Sequence, residues 1–127
     1  MRVLAAIAVL SAIAAQSPPK EDVTGIWRGQ SICGPSLPAC TNETVVYDIR
    51  AIAGKPDVVL IRADKIVNGQ TVTMGTGEWK HDAARHVLIW EQPSRTWLLT
   101  IKGSTIDGTL TGADKTVVRR MTLKKDP

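Results

Sequence analysis

From residue 23 onward the chain repeats one unit, a short run rich in Val, Ile, Thr, Leu or Trp followed by a cluster of turn formers. No segment keeps its apolar positions at a helical period, whereas alternation of apolar and polar positions marks half-buried strands. The pattern predicts strands over 23–32, 43–52, 58–67, 70–81, 86–91, 96–102, 105–111 and 116–124. Asn68-Gly69 and Gly103-Ser104 are two-residue hairpin turns, and 54–57, 92–95 and 112–115 are longer ones.

Residues opposite each other in a hairpin share a face, so the turns can be tested against the hydrophobic pattern. A turn at 82–85 sets Trp79 against Leu88 and Gly77 against Trp90. Continuing through the later turns sets Trp90 against Trp97, Leu99 against Gly108, Leu110 against Val117 and Gly108 against Arg119. This places Trp79, Leu88, Trp90, Trp97, Leu99, Ile101, Ile106, Leu110, Val117 and Met121 on one face. The opposite face is mostly Thr, Lys, Asp and Glu, although Val87, Ile89, Leu98 and Val118 also fall there. Earlier, Ala51 meets Val59, Ile49 meets Ile61 and Ala63 meets Met74. Met74 is then inward at an even number while Trp79 on the same strand is inward at an odd one. A β-bulge within Gly75-Thr76-Gly77 would reconcile them.

A long antiparallel meander leaves two exposed edges unless it closes, and eight strands suffice for a barrel with a filled interior or room for one small ligand. The expected fold is all-β, a small eight-stranded antiparallel up-and-down barrel over residues 23–127. A β-sandwich is the alternative.

Composition narrows the function. At 127 residues with 43% hydrophobic and 22% charged positions, the chain is neither disordered nor large enough for two ordinary domains. Its net charge of +4 is spread along the chain, which does not point to nucleic acid. Met1-Arg2 followed by the apolar run Val3–Ala15 and the small residues Ala12 and Ala14 has the layout of a secretory signal, cleaved after residue 14. That run is too short to span about 30 Å of hydrocarbon, so no stable membrane insertion of the mature protein is expected. Residues 15–22, with Pro18-Pro19, read as a flexible tether. The expected location is the periplasm or the exterior of the cell. Two cysteines, Cys33 and Cys40, agree with export as a disulfide.

The strand pattern opens on Gly25-Ile26-Trp27 and its last strand carries Arg119-Arg120. This resembles the lipocalins and the wider calycin group, in which a Gly-x-Trp begins the first strand and a late basic residue packs over the indole. The resemblance implies that Gly25, Trp27 and Arg119 form a structural signature, with Arg119 stacked on Trp27. It also implies a role in binding a small apolar ligand.

Several groups could carry chemistry. Tyr47, Met74, Trp79, Trp90, Trp97 and Leu99 are the candidate pocket wall, although the same side chains could simply be core. His81 and His86 flank a turn beside Asp82 and could hold a metal, but their spacing matches no metal signature and an exposed pair at a hairpin end is the plainer reading. Nucleophile elbows, phosphate-cradling glycine loops and Cys/His pairs are lacking, and Asp48, Glu78 and Glu91 are expected on the solvent face. The basic residues Arg119, Arg120, Lys124 and Lys125 could attract an acidic partner or a membrane surface, but a solvated strand end is the plainer reading. The expected function is therefore non-enzymatic, without cofactor: an apolar ligand bound in the barrel. The alternative is a protein-interaction or inhibitor module that presents the Cys33–Cys40 loop, Pro35-Ser36-Leu37-Pro38, over a filled core.

Overall fold

The computed structural model describes residues 21–35 and 39–127. The segment read as a secretory signal, residues 15–20 of the expected tether, and Ser36-Leu37-Pro38 of the cysteine loop lie outside them. Eight strands run Gly25–Cys33 (β1), Glu43–Ile52 (β2), Lys55–Val67 (β3), Gln70–Asp82 (β4), Val87–Gln92 (β5), Arg95–Lys102 (β6), Thr105–Gly112 (β7) and Val117–Lys125 (β8). Each is antiparallel to the next, and β8 pairs back onto β1 to close the barrel. The sandwich alternative is set aside by this closure.

Short turns fixed several registers where expected. Trp90 faces Trp97, Leu99 faces Gly108, Ile101 faces Ile106 and Ala51 faces Val59. Two registers slip by two residues. The β4–β5 turn occupies 83–86, with His86 at φ +58°, so His81 rather than Trp79 faces Leu88. On β8, Met121 rather than Arg119 faces Gly108, and a bulge between Leu110 and Thr111 adds a further residue. Val118 consequently packs against the core, and Val117 is not among the core residues. The bulge in β4 falls at Met74, one residue before the expected glycines, so Ala63 faces Gly75.

A two-residue slip preserves the face of every side chain, because strands alternate with period two. The interior is therefore the expected one. Leu88, Leu99, Ile106 and Leu123 are fully buried, each stabilising the fold by about 1.5–3 kcal/mol over exposure. Cys33 and Cys40 are joined in a disulfide. Closing that eight-residue loop contributes about 2.5 kcal/mol on the chain-entropy account.

One seam is much shorter than the rest. β4 and β5 are in register only at Lys80–Ile89, His81–Leu88 and Asp82–Val87. From Gln70 to Trp79, β4 pairs with β3 alone, so the barrel wall parts on that side.

Candidate functional site

The parted seam opens at one mouth of the barrel, where three indoles meet. Trp90 and Trp97 lie opposite each other on β5 and β6 and stack at 4.9 Å between centroids. Trp79, on the β4 side of the gap, is 5.6 Å from Trp90, and Tyr47 on β2 is 6.5 Å from Trp79. The Trp90 ring lies across Gly77, where a β-carbon would meet it at 3.6 Å. Together with Met74, Gly75, Ile61 and Ala63 these groups line a cavity of about 210 Å³. Five of the six candidate wall residues are here. Leu99 is not: it is fully buried deeper in the barrel, against Gly108 and Met121, and belongs to the filled core.

Tyr47 is almost wholly buried, and its hydroxyl donates to Met121 Sδ at 3.3 Å. Burial pushes the phenol up to about 12, with the Glu43 carboxylate adding to the shift and Arg119 opposing it. The folded value lies above the ordinary 10.0, so the folded protein holds this proton more tightly than the unfolded chain. The associated stability is complete below pH 10 and is lost as pH rises towards about 12. Tyr47 is the single tyrosine. Phenolate absorbance during an alkaline titration should thus show one transition displaced well above 10; a midpoint at 10 in the folded protein would contradict the burial.

The rim beside the cavity is charged. Glu43 Oε1 lies 3.6 Å from Arg119 Nη2 and 3.7 Å from Lys65 Nζ. Arg119 also donates to Ser31 Oγ at 3.1 Å and to the Thr41 carbonyl at 3.0 Å, tying the chain after Cys40 to the barrel. This corrects the expected stacking of Arg119 on Trp27. Arg119 shares the inner face with Trp97 through Leu110, but it faces Cys33 at the far end of β1 from Trp27.

Trp27 instead closes the other end. Lys125 on β8 faces it, with Nζ 5.7 Å from the ring centroid, while the indole N–H donates to the Val23 carbonyl at 2.9 Å. Gly25 sits at φ +130°, a conformation that side chains resist, and a β-carbon there would press on the Lys125 stem at 3.1 Å. The Gly-x-Trp motif thus serves as a base plate, with Lys125 as its cation.

His81 and His86 also lie at this closed end. His81 is buried rather than exposed, 4% accessible, because the shifted turn lengthens the paired part of β4 and sets His81 within the sheet opposite Leu88. Glu21 links the pair: Oε1 is 3.3 Å from His81 Nε2 and Oε2 is 3.0 Å from His86 Nδ1. Glu21 and Asp22, the end of the segment read as a tether, are therefore held against the barrel, Asp22 through its carbonyl to Lys125. Asp82 turns away to cap the Arg85 amide. Among the described residues no group of three His, Cys, Asp or Glu is arranged to hold a metal ion. Of the carboxylates expected on the solvent face, Asp48 is buried, enclosed by Arg50 at 3.1 Å and Arg62 at 3.6 Å.

The closed eight-stranded antiparallel barrel is compatible with a lipocalin-like fold. Compared with known proteins, the chain matches no family model, no curated protein and no solved structure.

Proposed function

We propose that the protein is an exported, lipocalin-like barrel that binds a small, flat, apolar molecule at its open mouth and acts by binding rather than by catalysis. The observation that supports this most is the wall of three indoles around a cavity of about 210 Å³. An apolar cavity of about 150 Å³ is sufficient for benzene, and drug-sized ligands need about 300 Å³ or more. The ligand class is accordingly a flat one- or two-ring aromatic. Deeper entry is blocked, since Leu99, Ile106, Leu88 and Leu123 already fill the barrel. Aromatic stacking on Trp90 and Trp97 would supply orientation as well as area.

Tryptophan emission followed during titration with toluene, naphthalene and camphor tests this. Toluene and naphthalene should alter the emission saturably, and the globular camphor should not. Trp90→Ala removes a half-buried wall residue and should weaken naphthalene binding by about tenfold, the equivalent of 1.4 kcal/mol. Emission that stays constant with all three probes would overturn the proposal.

A further inference from the structure

The strand that borders the cavity has a free edge. Along Gln70–Trp79 the backbone groups of β4 that point away from β3 have no strand partner. Exposed edges are templates for pairing, and proteins ordinarily blunt them with charge, proline or bulges. Between Asn68 and Gly77 there is neither a charged residue nor a proline, and the bulge at Met74 is the one such device present. The charged residues of β4, Glu78, Lys80 and Asp82, all lie beyond that run. The same hairpin also holds three of the four large hydrophobic side chains most exposed among the described residues: Val67, Val72 and Met74, each 43–44% accessible, the fourth being Ile32.

We propose that this edge pairs, antiparallel and about a two-fold axis, with the same edge of a second copy of the chain. Charge selects that occupant. The chain carries +4, so two copies repel each other on net. The run Asn68–Gly77 is where they can meet with no like charges opposed, and in any antiparallel register within it every cross-strand neighbour is uncharged. A two-fold contact is also self-limiting: it satisfies both edges at once and leaves none to propagate. The shared surface is two hairpins wide, below a standard permanent interface, so the dimer forms in proportion to concentration. Pairing would bring Val72 and Met74 of each copy beside the other's cavity mouth. The inference stands on the unpaired edge and its lack of charge, independently of any ligand.

Sedimentation velocity of the full chain over a concentration series, without ligand, tests it. Wild type should move from monomer to dimer as concentration rises, with no larger species. Thr71→Lys sets like charges on the two edges and should hold the protein monomeric throughout; Val72→Lys, the second variant, should do the same. Ile32→Lys adds the same charge at the exposed residue on β1 and should leave dimerisation intact. Circular dichroism of each variant establishes that it is folded. A wild type that stays monomeric, a folded Thr71→Lys or Val72→Lys that still dimerises, an Ile32→Lys that loses the dimer, or growth beyond the dimer would each overturn the proposal.

Discussion

Gly29→Ala should lower the thermal midpoint by more than any other single methyl addition to the sheet. Gly29 faces Leu123 across the β1–β8 closure, and a β-carbon there would run into the Thr122 carbonyl oxygen and lie 2.9 Å from the Leu123 α-carbon. The obstacle is backbone, which cannot rotate aside. Neither strand can retreat without dislodging Trp27 or Leu123, which are 1% and 0% accessible. Overpacking costs about 1–3 kcal/mol where side chains can give, so a cost of about 3 kcal/mol or more is expected here. For a domain of this size that is a fall of about 12 °C or more in Tm by calorimetry. Gly75→Ala is the matched control, since nothing lies within 4 Å of the added carbon, and it should leave Tm nearly unchanged. Equal behaviour of the two variants would contradict the close approach that seals the barrel.

Trp27→Ala should cost about 3–5 kcal/mol in urea unfolding, the range for emptying a large buried aromatic site. The loss has two separable parts. Most is the packing of a ring that is 1% accessible, at the foot of the barrel. The remainder is the indole N–H bond to the Val23 carbonyl, which anchors the segment carrying Glu21 and Asp22. Trp27→Phe retains much of the packing and loses the bond, and should cost about 1–2 kcal/mol. A cost for Trp27→Ala below about 1 kcal/mol would mean that the residue does not close the barrel.

The composition of the interior was legible in the sequence because strand periodicity tolerates even errors. The β4–β5 and β7–β8 hairpins each slipped by two residues, which changed the neighbours of Leu88 and Gly108 but left both on the inner face. Only the bulge at β7–β8 altered a face, exchanging Val117 for Val118 against the core. The β4 bulge was legible from the parity conflict between Met74 and Trp79, although glycine chemistry alone could not fix its position.

What was not legible depends on contacts that no turn fixes. β1 and β8 come from opposite ends of the chain, so their register had no connecting loop from which to count. The family pattern points to Arg119 as the partner of Trp27, while closure places Lys125 there. Glu21 likewise looks like tether in the sequence, because nothing local signals that its two carboxylate oxygens reach His81 and His86. The parting of β4 from β5 leaves no mark in the alternation of apolar and polar positions, which is the same whether a hairpin stays paired or splays. That gap admits the cavity between the indoles.

The indole N–H signals of the four tryptophans offer the most direct test, in a two-dimensional nitrogen–proton NMR titration with toluene. Trp79, Trp90 and Trp97 border the cavity, and Trp27 lies at the opposite end of the barrel, bonded to Val23. Saturable shifts at Trp79, Trp90 and Trp97 with Trp27 unmoved are the predicted result. Four signals that stay fixed, or that all drift together without saturation, would contradict a ligand seat at the mouth.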